Sequence, residues 1–156
     1  MSELEAIETY VGGLLAKATD GERLAIAKAI GQDLRRANVQ RIAAQVGPDG
    51  SPFEPRKTRD PGRGRQGRIK RKAAAMFRKI RRPSYLRVEA SPAEIAVGFA
   101  DSTVGRIARV HHFGLRDRVE RKQGAPEADY PRRELLGVPA DDRAMILDRV
   151  LAHFES

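Results

Sequence analysis

Leu4, Ile7, Val11, Leu14 and Ala18 recur at intervals of three or four residues, the spacing that gathers side chains on one face of a helix. Ser2 followed by Glu5 provides a capping box at its start. Thr19 with Glu22 repeats that signature, and Leu24, Ala27, Ile30, Leu34, Ala37 and Ile42 keep the same step until Gly47 and Pro48. A second helix of about 27 residues, roughly 40 Å long, is predicted. Gly47-Pro48-Asp49-Gly50-Ser51-Pro52 then offers only turn chemistry, so the chain must leave the helix for irregular structure, with Phe53 as its apolar anchor.

Across 85–99 the period changes to two. Tyr85, Arg87 and Glu89 alternate with Leu86, Val88 and Ala90, and Ile95, Val97 and Phe99 follow a Ser91-Pro92-Ala93 turn, which predicts a β-hairpin. Val104, Ile107, Ala108 and the run 110–113, closing on Gly114, fit a short helix with a glycine cap in the left-handed conformation. Residues 115–131 read as a long polar connection. A last helical pattern runs over 141–154 through Met145, Ile146, Val150 and Leu151. No internal repeat is visible. The order predicts an α+β fold: N-terminal helices, a small antiparallel sheet built on a β-hairpin, and a C-terminal helix. At 156 residues a single domain over 1–156 is the expectation.

Charge alters this picture in one place. Lys and Arg number 30 against 21 Asp and Glu, a net charge of +9. Segment 56–82 alone contains 13 Lys/Arg with the single acid Asp60, so the remainder of the chain sums to −3. A mildly acidic domain thus carries one very basic insert, which suits a phosphate-rich or acidic partner. Pro61, Gly62, Gly64 and Gly67 break its first half, 57–68, which reads as a mobile loop. Ile69, Ala73, Met76, Phe77 and Ile80 return to helical spacing, so 69–80 is expected to form a short amphipathic helix.

Candidate chemistry is sparse. The absence of cysteine removes disulfides, thiolate metal sites and cysteine nucleophiles. The apolar stretch at 11–18 is interrupted by Gly12, Gly13 and Lys17, and no run approaches a membrane span, which predicts a soluble chain. Aromatic content of 5% without Trp disfavours a base-stacking platform. His111 and His112 are helix neighbours pointing about 100° apart and do not readily chelate one ion, so they are read as packed or partly exposed imidazoles. Asp141-Asp142 sits where acids cap a helix, and that reading outweighs a catalytic carboxylate pair. Gly62-Arg63-Gly64-Arg65-Gln66-Gly67 lacks both the preceding strand and the Lys-Ser/Thr ending of a phosphate loop. With no Gly-x-Ser-x-Gly or His-Glu-x-x-His motif either, no enzyme, metal or cofactor is expected.

Two segments combine aromatic, apolar and Arg residues in irregular surroundings: Ile107-Ala108-Arg109-Val110-His111-His112-Phe113-Gly114-Leu115 and Tyr130-Pro131-Arg132-Arg133-Glu134-Leu135-Leu136-Gly137. They either fold back onto the sheet or face another subunit, with Val110, His111, Phe113, Leu115, Tyr130, Arg133, Leu135 and Leu136 as the candidate interface. Together with Asn38-Val39-Gln40-Arg41-Ile42, Pro48-Asp49-Gly50-Ser51-Pro52-Phe53 and Val97-Gly98-Phe99, they resemble the phage virion morphogenesis family, over roughly residues 22–150 and in the same order. His112 stands where Gln is more frequent in that pattern, and the insert is unusually rich in Arg.

The resemblance implies a non-enzymatic structural protein, the tail completion protein of contractile-tailed, Mu-like phages. It would finish the head-proximal end of the tail, at the neck, and prepare it to join the filled head. It also implies a homo-oligomeric ring, a hexamer matching the tail, in contact with other phage tail and neck proteins, with no membrane. The protein would then reside in the virion at the tail–head junction after assembly in the bacterial host cytoplasm. Arg63, Arg65, Arg68, Lys70, Arg71 and Lys72 are the candidates for contact with packaged DNA or an acidic neighbour. The alternative is a non-enzymatic nucleic-acid-binding protein using the basic 56–82 segment.

Overall fold

The structure is a computed structural model that describes residues 2–56, 75–120 and 122–155. Among the described residues, four helices and two two-stranded antiparallel sheets follow in the order α1 (Glu3–Lys17), α2 (Asp20–Ala43), β1 (Leu86–Ala90), β2 (Ile95–Phe99), α3 (Thr103–Phe113), β3 (Arg116–Arg118), β4 (Glu127–Asp129) and α4 (Ala140–Glu155). The fold is α+β, with helices at both termini as the periodicity requires. It comprises two compact units, Met1–Ala37 with Arg87–Gly98 and Val138–Ser156, and Asn38–Leu86 with Phe99–Gly137.

Unit one is built from periodic faces. The Ser2 hydroxyl accepts the Glu5 N–H at 3.2 Å while the Glu5 carboxylate accepts the Ser2 N–H at 2.7 Å, completing the capping box of α1. Thr19 Oγ1 caps α2 by accepting the Glu22 N–H at 3.1 Å. Val11, Ile26, Ile30, Leu34 and Val150 are buried, and Ile95, Val97, Met145, Ile146 and Phe154 pack against them. Gly31, inside α2, is required for this packing, because a Cβ there would collide with the Val88 side chain of the hairpin. Arg149 adds a two-pronged ion pair to Asp33, at 2.9 and 2.7 Å.

The described part of unit two is mostly irregular chain around a core of Ile42, Phe53, Met76, Ile80, Ala108 and Leu135. Helix α2 stops at Ala43, several residues before Gly47, because Gln45 takes a left-handed conformation with φ 61°. Its N–H donates to the Ile42 carbonyl at 3.0 Å and the Val46 N–H to the Arg41 carbonyl at 3.1 Å, a Schellman closure. In the turn that follows, the Asp49 carboxylate accepts the Ser51 N–H at 2.9 Å and the Ser51 hydroxyl at 3.0 Å. Phe53 N–H then donates to the Gln45 carbonyl at 2.8 Å, turning the Phe53 ring into the core. Ser102 caps α3, its hydroxyl accepting the Gly105 N–H, and Gly114 closes it at φ 64°, ψ 59°.

Two expectations need correction. Segment 115–131 is not simply a connection: Arg116, Asp117 and Arg118 pair antiparallel with Asp129, Ala128 and Glu127. Charged strands hide this pairing from a hydropathy pattern, and their charges are complementary, with Arg116 bonded to Glu127 at 3.0 Å. The expected helix over 69–80 fails in its described part, 75–80. Phe77 has φ 67°, outside helical space, and the Met76 N–H and C=O are both taken by the Gln45 side chain, at 2.7 and 2.9 Å. The remainder of that expectation, and the mobile loop read into 57–68, lie outside the described residues.

Candidate functional site

Segment 130–137 lies on the chain through a series of clasps. Asn38 is 3% exposed, and its Oδ1 accepts both the Gly137 N–H at 3.2 Å and Arg41 Nη2 at 2.9 Å. Arg41 Nη2 in turn donates to the Gly137 carbonyl at 3.2 Å, so one turn of α2 satisfies both backbone groups of Gly137. Arg133, 4% exposed, donates Nε to the Glu54 carbonyl at 2.7 Å and Nη2 to the Pro55 carbonyl at 3.2 Å. Its Nη1 lies 2.9 Å from His111 Nδ1, and its own N–H donates to the His111 carbonyl at 2.7 Å. A buried guanidinium thereby ties three backbone stretches to one point.

The adjacent histidines both serve this clasp. A guanidinium only donates, so His111 Nδ1 must carry the lone pair and the imidazole is neutral. Burial, reinforced by the Arg133 and Arg56 charges, pushes the His111 pKa down to about 4. The ring sits edge-on between Phe77 and Tyr130, each with its centroid 5.0 Å away, and Phe77 meets Phe53 at 5.7 Å. His112 Nδ1 accepts the Leu135 N–H at 3.1 Å, and burial lowers its pKa too, with Arg132 adding to the effect and Glu134 opposing it. Among the described residues no group of three or more His, Asp or Glu is placed to hold a metal ion. The geometry of the clasp holds chain in place.

Beyond the clasp the surface carries exposed apolar side chains. In unit two these are Ile107, Phe113, Leu115 and Val119; in unit one, Ile7, Tyr10 and Val138. The model of the phage virion morphogenesis family matches residues 2–155. The chain belongs to the phage virion morphogenesis family. It is 34% identical over 155 residues to the tail completion protein S of Escherichia phage P2, with 99% of each chain covered. No solved structure matches.

In this family member, four of the five motifs that carried the resemblance meet within unit two: the end of α2, the 48–53 turn, α3 with Gly114, and segment 130–137. Of the candidate interface residues, Val110, Arg133 and Leu135 are buried by the chain itself, His111, Tyr130 and Leu136 are half-buried, and only Phe113 and Leu115 are exposed. Arg63, Arg65, Arg68, Lys70, Arg71 and Lys72 lie outside the described residues. Sequence reasoning missed Gln45, Asn38 and Arg41 as clasp residues. Gln45 gave no signal, since nothing in the sequence marks a glutamine that stands at a helix end and reaches 31 residues along the chain. A Gln at position 112, the residue that the resemblance leads one to expect, would offer an amide oxygen able to accept the same Leu135 N–H.

Proposed function

We propose that the protein is a structural, non-enzymatic tail completion protein that finishes the head-proximal end of a phage tail and prepares it for joining to the filled head. The observation that carries this reading is the 34% identity to the tail completion protein S of Escherichia phage P2 over 99% of both chains. The site supports it, because the motifs converge on a clasp that fixes the backbone rather than on a reaction centre. In this role the protein forms a ring of identical copies and touches other tail and neck proteins. The basic 56–82 segment would face either packaged DNA in the conduit or an acidic neighbouring protein.

The deciding experiment is complementation of a phage lacking this gene. Without the protein, electron micrographs should show filled heads and separate tails; with it, joined virions. Normal virions in its absence would overturn the reading. Replacing Arg63, Arg65, Arg68, Lys70, Arg71 and Lys72 with Gln separates the two orientations of the insert. A DNA-facing insert loses a salt dependence of duplex binding with a slope near −0.9 per phosphate contacted, whereas a protein-facing one loses joining with DNA binding unchanged.

A further inference from the structure

The units carry opposite charge. Unit one has 8 Lys/Arg against 12 Asp/Glu, and unit two 22 against 9. With only its described residues counted, unit two still has 13 against 8. Among the described residues, each also exposes an apolar feature.

In unit one it is a groove of about 440 Å³ lined by Ile7, Val138, Ala144, Leu147 and Leu151, with two charged residues in its wall, the acid Asp148 and Arg143, whose charge is met by Glu8. Asp141, Ala144 and Asp148 recur at i, i+3 and i+7, so the acids and the groove share one face of α4. Ile7 is 42% and Val138 52% exposed. In unit two it is a ridge on α3, where Arg106, Arg109 and Phe113 recur with the same spacing. Phe113 is 57% exposed and the Arg109 guanidinium lies over its ring, 5.8 Å from the centroid. Arg106 is held by Asp117 of β3.

We propose that the occupant of the groove is the α3 ridge of a second copy of this chain. Phe113 enters among Ile7, Ala144, Leu147 and Leu151, and Arg109 meets Asp148. An aromatic anchor flanked by a cation fits an apolar groove flanked by an acid, the pattern of an interface core with a charged rim. The contact is heterologous, one patch meeting a different patch, so each copy offers both a free groove and a free ridge to further copies. This inference rests on the ring invoked in the proposed function and names its interface.

The cysteine-free chain makes the test direct. Ala144→Cys marks the groove and Arg106→Cys, on the ridge but outside the Arg109–Asp148 contact, marks the ridge, both in the full-length protein. Under mild oxidation, purified and in lysates of complemented phage infections, the double variant should give a ladder of disulfide-linked multimers. An equimolar mixture of the two single variants should give a dimer, and neither single variant alone should cross-link. Asp148→Arg or Arg109→Asp should each cut assembly at least tenfold, and the two reversals combined should restore most of it. A double variant that stays uncross-linked, or a single variant that pairs with itself, overturns the interface. Groove substitutions that abolish tail completion without any effect on contact between copies also overturn it, and would assign the groove to a different protein. Complementation by the unaltered gene reports on the tail completion reading separately, so the two failures are distinguishable.

Discussion

Unit one draws its buried side chains from long helices whose apolar faces repeat every three or four residues. Unit two gathers Ile42, Phe53, Met76, Ile80, Ala108 and Leu135 from five separated stretches of chain, only two of which are helical. Its irregular segments are fastened instead by Asn38, Gln45, His112 and Arg133, each bonded to main-chain atoms. The contrast is energetic as well as geometric. A periodic face loses stability in proportion to the area removed, whereas a lost clasp leaves several part-buried backbone groups without their partners at once, at about 1 kcal/mol or more each. Unit two is therefore the more brittle to single substitutions, although its core is of similar size.

The sharpest break should come from Arg133→Ala. It removes the donors to the Glu54 and Pro55 carbonyls and to His111 together, and a loss of about 3 kcal/mol or more is expected. Arg133→Lys should recover little, since one ammonium cannot reach all three acceptors in a fixed fork. Hydrogen exchange should accelerate at 111–115 and 130–137 while the central turns of α1 and α4 keep their protection. Equal acceleration in both units would remove the distinction drawn here.

Acid should act on the same clasp. The folded His111 pKa of about 4 lies below the unfolded value near 6.5, so the unfolded chain binds the proton more readily. The stabilisation from neutral His111 is fully present above pH 6.5 and drains away as pH falls toward 4, by about 2 kcal/mol once solvent screening of the half-buried ring is allowed for. His112 acts in the same direction. His112→Gln keeps an acceptor for the Leu135 N–H and should make stability depend less on pH in this window, measured by denaturant unfolding at a series of pH values. A variant with an unchanged pH profile would show that His112 is not part of the response.

This division explains what could be read from the sequence. The capping box at Ser2, the Thr19 cap, the 86–99 hairpin, α3 with its Gly114 closure and α4 are all local consequences of residue spacing, and they stand in the structure. The extent of α2 was overestimated because Gln45, rather than Gly47, takes the left-handed turn. Strands β3 and β4 were hidden because their sequences, Arg-Asp-Arg and Glu-Ala-Asp, bury too little to show a period. The clasp was half visible: its two segments stood out as unusual, but the bonds joining them span 22 to 99 residues and leave no local trace. Residue type alone cannot distinguish an Arg that faces a partner from one buried against its own carbonyls, as Arg133 is.

A smaller effect is expected at Gly114, where local and distant requirements coincide. Its φ of 64° suits glycine, and a Cβ would stand 2.9 Å from the Arg132 nitrogen. Gly114→Val should cost about 2 kcal/mol, combining left-handed strain with displacement of segment 132–133. Gly114→Ala should cost somewhat less. A melting temperature unaffected by either would mean that the segment can shift away freely, against the clasp account.

The mildest change sharpens the comparison from the other side. Ser2→Ala removes one hydroxyl from the capping box of α1, freeing the Glu5 N–H to water at an exposed helix end. Such caps contribute about 1 kcal/mol, and solvent replaces part of what is lost. Because Val11 and Leu15 still pack on the core of unit one, the helix should fray only over its first turn and the global melting temperature should fall by a few degrees at most. Faster hydrogen exchange confined to residues 3–6 is the expected signature. If Ser2→Ala proved as costly as Arg133→Ala, the graded response assigned to the periodic unit would be wrong, and α1 would have to be read as clasped rather than packed.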